Sequence, residues 1–251
     1  METVMAGAEP FSASGGPVGV LLCHGFTGSP GSLRPWAEYL AEQGLTVSLP
    51  RLPGHGTTVQ DMARTGWKDW YGALDSALTD LVSQCSQVFL CGLSMGACLA
   101  LRLASVHPSR SAVQGLVLVN PSLAMDNKLL LVAPALKYVV RTVPGIASDI
   151  KKPGAAEPGY KRVPVAAAAT LPEMWRTTVA DLGKIGAPVL VFRSAEDHVV
   201  GPASLPLLLK ALPSSQVTVV PCPESYHVAT LDNDAPAIFE GSAKFIQDHT
   251  A

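Results

Sequence analysis

The sequence predicts an α/β fold: a mostly parallel, doubly wound sheet with helices on both faces and a small helical insertion. Three observations predict it. Short β-type runs alternate with helical patterns along most of the chain. The first strong run, Val18 to Cys23 (VGVLLC), is apolar throughout, as a strand covered on both faces should be. The 251 residues are 48% hydrophobic and only 15% charged, enough to build a sizeable core and too apolar for a disordered chain.

The elements follow in order. Ser32 to Gln43 reads as a helix stopped by Gly44. Leu45 to Leu49 is a second strand, running into the loop Pro53-Gly54-His55-Gly56. Trp67 to Val82 repeats apolar residues at helical spacing. Val88 to Cys91 is a third strand, and Met95 to Val106 a helix ending before Pro108. Val113 to Val119, Pro188 to Phe192 and Val217 to Val220 are three further strands, and Ala235 to Asp248 is a closing helix. Between about Pro121 and Gly186 the rhythm breaks. Two helical patches, Lys128 to Arg141 and Glu173 to Leu182, flank a stretch rich in Pro, Gly and Lys with no strand signal. So long an insertion in one domain predicts a lid. The expected organisation is a core of residues 1–120 and 187–251 with a cap of residues 121–186.

Composition excludes several functions. The net charge is −2 with no basic block, so nucleic-acid binding has no electrostatic support. The most apolar later run, Leu129 to Val140, is interrupted by Pro134 and Lys137 and is shorter than the ~20 residues a membrane span takes. The first residues do not read as a signal peptide. Five cysteines, an odd number, include Cys23 and Cys91 inside apolar runs. They predict buried free thiols and a reducing, cytoplasmic setting. No Cys/His spacing suggests zinc.

The chemistry is carried by Gly92-Leu93-Ser94-Met95-Gly96, a G-x-S-x-G sequence with a strand before it and a helix after it. That context lifts a serine hydroxyl out of the sheet on a strained turn, at a helix N-terminus that favours developing negative charge. A serine nucleophile needs a base, and the base an orienting acid; after such an elbow the chain order is Ser, acid, His. Of six histidines, His24, His55 and His107 come too early, leaving His198, His227 and His249. His198 directly follows the best acid, and His249 lies in a terminal tail. His227, after the last strand, is the expected base. Asp197 is the expected acid, because it follows the preceding strand and Val199-Val200 would tuck its loop against the core; Glu196 is the alternative, and Asp232 lies in the next segment. The oxyanion donors are expected to be the backbone amides of Met95 and Phe26, the latter in His24-Gly25-Phe26-Thr27-Gly28. His24 and His55 are expected to be structural.

These residues together resemble the carboxylesterase and monoacylglycerol lipase group of the α/β-hydrolases, notably its small bacterial members. The resemblance rests on His24-Gly25-Phe26-Thr27-Gly28, Gly54-His55-Gly56, the elbow at Ser94, Asp197-His198-Val199-Val200, and His227-Val228-Ala229-Thr230-Leu231-Asp232. It departs at Ala97, where such enzymes often carry another glycine. It implies a Ser94, Asp197 and His227 triad, an oxyanion hole of the Phe26 and Met95 amides, and a cap lining an acyl pocket. Leu129, Leu130 and Leu136 are the suspected pocket residues. The expected reaction is two-step acyl transfer on short-to-medium acyl esters, monoacylglycerols included. The triad needs no metal or cofactor. The expected partner is a small ester with an apolar acyl chain, met in part at a lipid interface. Rival readings are a thioesterase, a carbon–carbon bond hydrolase with the same triad, and a silent hydrolase-fold binding protein.

Overall fold

A computed structural model describes residues 3–107, 109–124, 139–213 and 215–250. Its main sheet has seven strands: β1 (Phe11–Ala13), β2 (Val18–Cys23), β3 (Thr46–Leu49), β4 (Gln87–Leu93), β5 (Val113–Val119), β8 (Val189–Ser194) and β9 (Val217–Cys222). They lie in the order β1-β3-β2-β4-β5-β8-β9, and only β1 is antiparallel to its neighbour. The six expected strands are all present. The sequence missed β1, whose three residues carry too short an alternation to stand out beside Gly15 and Gly16.

Helices cover both faces because the central strands are apolar on both. β2 is buried at every position, and β5 at all but Gln114. On one face pack α3 (Trp67–Gln84), α4 (Met95–Val106), α6 (Leu171–Asp181) and α7 (Ser204–Ala211), around Trp70, Leu74, Leu101 and Met174. On the other pack α1 (Arg34–Glu42) and α8 (Ala235–Asp248), around Trp36, Phe89, Phe192 and Ile238. No helix is assigned to this segment from the sequence; α7 follows Pro202 and contains Pro206. Pro206 is the third residue of the helix, where its missing N–H would have no intrahelical partner anyway.

Two short α-helices, α2 (Val59–Met62) and α5 (Val165–Ala168), complete the α-helices among the described residues. The expectation of no strand between residues 121 and 186 is corrected. Thr142–Pro144 (β6) and Arg162–Pro164 (β7) pair antiparallel as a separate ribbon. Each is three residues long and ends in proline, so neither carries a readable periodicity. The helical patch at Glu173 to Leu182 corresponds to α6. The patch at Lys128 to Arg141, with Leu129, Leu130 and Leu136, lies almost wholly outside the described residues. Among the described residues no helix is long and apolar enough to cross a membrane. All five cysteines are buried and unbridged, as expected.

Candidate active site

The parallel strands deliver their carboxyl ends to one edge of the sheet, and the predicted residues gather there. Ser94 sits between β4 and α4 with φ 57° and ψ −117°, a strained conformation for a residue with a side chain. The surrounding contacts enforce it. Ser94 N–H donates to Val119 O at 2.9 Å, and Ser94 O accepts from Ser122 N at 3.2 Å. The two flanking glycines are required by space. A Cβ on Gly96 would stand 2.0 Å from Cys23 O and 2.6 Å from His24 O, and one on Gly92 2.6 Å from Ala97 N. Helix α4 therefore rests directly on the end of β2, and the chain must turn at Ser94 to get there. Ala97 is fully buried in the core.

His227 and Asp197 arrive on the loops after β9 and β8. His227 Nδ1 lies 3.0 Å from Asp197 Oδ1 and 3.1 Å from Oδ2. Asp197 is also held by its own loop: Val199 N and Val200 N donate to Oδ1 at 3.0 and 2.8 Å, and Arg193 Nη1 donates to Oδ2 at 2.8 Å. Burial pushes its carboxyl up. The hydrogen bond and charge of His227, with the Val200 and Val199 amides, outweigh that and hold it below the usual aspartate value. An ionised Asp197 acceptor fixes the tautomer with hydrogen on Nδ1 and leaves Nε2 to act.

Val200 is buried, but Val199 is 45% exposed, so the pair does not tuck the loop inward through both side chains; their amides grip the carboxylate instead. Glu196 is exposed. His198 bonds Asp149 Oδ1 at 2.8 Å through Nδ1, and this contact raises its pKa above the ordinary histidine value. His249 Nδ1 donates to Phe245 O of its own helix at 2.8 Å.

Met95 is the first residue of α4, so its N–H has no acceptor within the helix. Phe26 lies opposite, in the loop after β2, with its ring against Trp70 and His55. The tight point of that loop is Thr27, at φ 63°, rather than a glycine. Gly28 instead makes room for Glu157, whose Oε1 would stand 2.4 Å from a Cβ there. His24 is structural. Its Nδ1 donates to Gly25 O at 3.0 Å and its Nε2 accepts from Leu52 N at 3.2 Å. Burial lowers its pKa to about 4, so it stays neutral. His55 is likewise buried and lowered by burial.

Ser94, His227 and Phe26 line one cavity of about 190 Å³, with Ser148, Asp149, Glu157, Ile146, Val163 and Val199. A family model described as Hydrolase_4, serine aminopeptidase S33, matches residues 18–234. A thermostable monoacylglycerol lipase from Bacillus sp. (strain H-257) is 41% identical over 253 residues, covering 98% of this chain and 97% of its own. The chain belongs to the S33 serine hydrolase family. A solved structure of one of the metagenome-derived lipolytic enzymes LipS and LipT superposes with a TM-score of 0.94 at 38% identity, covering 98% of this chain and 100% of that one. A monoacylglycerol lipase structure from Paleococcus ferrophilus shares the fold, with a TM-score of 0.78 at 19% identity over 96% of this chain and 100% of that one. The protein is thus an α/β-hydrolase-fold enzyme of the serine hydrolase kind.

Within this S33 framework the structure adds Asn120 and Glu157, which the sequence did not single out, and gives Asp232 a structural place. Asn120, at the end of β5, is fully buried. Its Nδ2 donates to His227 O at 2.8 Å and to Ser194 Oγ at 2.9 Å, and its Oδ1 accepts from Ser194 N at 2.9 Å. Asp232 is buried too, and it accepts four backbone amides, from Lys151, Lys152, Tyr226 and Asn233, at 2.7 to 2.9 Å. It pins the 151–152 backbone to the loop of His227 rather than facing the imidazole. Glu157 enters the cavity from the same insertion. Burial raises its carboxyl above the usual glutamate value, while His227 and a hydrogen bond from Ser32 pull the other way. Among the described residues no group of three or more His, Cys, Asp or Glu could hold a metal ion.

Proposed function

We propose that this enzyme hydrolyses carboxylic esters, monoacylglycerols with short-to-medium acyl chains among them, through Ser94, His227 and Asp197. The pairing of His227 with a buried, ionised Asp197, on a cavity that also holds Ser94 at its strained turn, carries the reading. Ser94 Oγ attacks the ester carbonyl while His227 Nε2 takes its proton. The carbonyl oxygen gains charge facing the amides of Met95 and Phe26. His227 returns the proton to the departing alcohol, and water then releases the acid by the same steps in reverse. Asp197 holds the imidazole and stabilises its charged form.

Residues 121–186 act as the cap. They supply Ile146, Ser148, Asp149, Glu157 and Val163 to the cavity wall. Its lining divides in a way that suits a monoacyl polyol ester. Ile146 and Val199 are exposed apolar side chains at the cavity, 57% and 45% accessible, fit to meet an acyl chain or a lipid surface. Glu157, Ser148 and Thr27 offer polar groups to an alcohol with free hydroxyls. The 41% identical relative is a monoacylglycerol lipase along nearly its whole length, which supports the same substrate class here. Five unbridged cysteines support a reducing, cytoplasmic setting.

The experiment is a substrate panel run on the parent and on Glu157→Met, an unbranched replacement without a polar tip. The parent is expected to turn over p-nitrophenyl butyrate, p-nitrophenyl octanoate and a medium-chain monoacylglycerol. Glu157→Met should lower kcat/KM for the monoacylglycerol about 10-fold, the scale of one lost hydrogen bond to a charged group, and change the p-nitrophenyl esters by less than about 3-fold. Inactivity of the parent on all three esters defeats the ester reading. Equal losses on all substrates in the variant remove Glu157 from alcohol recognition.

A further inference from the structure

The imidazole of His227 can reach both Ser94 and Asp197 only if two separate loops keep a fixed relation. One loop follows β8 and carries Asp197; the other follows β9 and carries His227. Among the described residues, Asp149 bonds backbone amides of both loops. Asp149, buried at 9% exposure and set between β6 and β7, accepts from His227 N at 3.1 Å and from His198 N at 3.2 Å, both on Oδ2. Its Oδ1 is 2.8 Å from His198 Nδ1. Its own carbonyl accepts from Val228 N at 3.0 Å. The peptide of the proposed base is thus held on one side by Asp149 and on the other by Asn120, which binds its carbonyl.

We propose that Asp149 is a positioning residue for the proposed triad, a clamp from the cap segment that sets the His227 loop against the Asp197 loop. The proposal rests on the reading of Ser94, His227 and Asp197 as the catalytic set. Its logic is geometric. His198 N is the next amide after Asp197, so one carboxylate oxygen fixes the chain beside the acid and the chain at the base. Asp232 anchors the clamp in turn, binding the amides of Lys151 and Lys152 and, with the same carboxylate, that of Tyr226. Cap and base loop therefore move as one piece, and a cap that is out of place carries His227 with it. A misplacement of about 1 Å in a reacting group lowers turnover by as much as about 100-fold.

The test compares Asp149→Ala with Asp149→Asn on p-nitrophenyl butyrate. The amide oxygen of Asn can take the place of Oδ2 and keep both backbone bonds, while its NH2 meets His198 Nδ1 as an acceptor. Asp149→Ala is expected to lower kcat about 10- to 100-fold with KM changed less than about 3-fold. Asp149→Asn is expected to stay within about 5-fold of the parent. Asp149→Ser, too short to span the three donors, takes the place of the alanine variant if that protein does not fold. A kcat unchanged in the alanine or serine variant overturns the proposal, as does a raised KM at unchanged kcat, which would make Asp149 a substrate contact. An asparagine variant as impaired as alanine also overturns it, since the backbone clamp would then not be what matters. Ser94→Ala run alongside separates this from the parent reading: if that variant keeps full turnover, the triad reading has failed and not the clamp alone.

Discussion

Ser94→Ala is expected to lower kcat on p-nitrophenyl butyrate by about 10⁵- to 10⁶-fold while leaving a folded protein. The size follows from the role. On the proposed mechanism no acyl-enzyme forms without that oxygen, and what remains is ester held beside the proposed Met95 and Phe26 donors, which alone keep only a small advantage over water. Stability should hold, because the turn is built by its surroundings. The Ser94 N–H to Val119 O bond, the Ser122 N–H to Ser94 O bond, and the contacts that require glycine at 92 and 96 all belong to the backbone. The midpoint of thermal unfolding, read by circular dichroism beside the kinetics, should shift by only a few degrees. A large loss of stability would mean that the hydroxyl has a structural duty.

Asp197→Asn is expected to lower kcat about 10⁴-fold, by turning a hydrogen-bond acceptor for His227 Nδ1 into a group that also donates and so favours the wrong tautomer. This change should also weaken the fold, unlike Ser94→Ala. Asp197 meets Arg193 at 2.8 Å and two backbone amides besides the imidazole. An Asn oxygen can keep the amides, but its NH2 then faces the guanidinium, a loss of about 1–3 kcal/mol. The pH dependence has a definite sign. The folded carboxyl is held below its unfolded value, so its contribution to stability is present above about pH 4 and is lost as pH falls through the depressed folded pKa. The gap in unfolding midpoint between parent and variant should be flat near neutrality and close in acid. Glu196→Gln, at an exposed neighbour, should change kcat by less than about 3-fold; the reverse pattern would move the acid role to Glu196.

What the sequence revealed and what it hid divide along chain separation. The elbow was legible because its parts are contiguous: an apolar strand, two glycines around a serine, then a helix, all within residues 87–106. The order of Ser, acid and His narrowed the rest to His227 and Asp197, which the structure brings to within 3.0 Å. The valines after Asp197 mark its loop through their amides, which grip the carboxylate, while the Val199 side chain is exposed at the cavity. Asn120, Asp149 and Glu157 stayed invisible. The contacts of the first two with His227 join residues 107 and 78 positions apart, and neither the end of the strand before Asn120 nor the loop around Asp149 carries a local mark of so distant a partner. The β6–β7 ribbon was hidden for the same reason, as paired strands of three residues have no period to detect.

The central claim is that one hydroxyl on this chain becomes covalently bonded to the acyl group. The most direct measurement treats the parent enzyme with a fluorophosphonate and maps the modified peptide by mass spectrometry. The account predicts one phosphonyl group per chain, on Ser94, with labelling slowed by orders of magnitude in His227→Ala. An adduct on any other residue, or full labelling that survives Ser94→Ala, would contradict it.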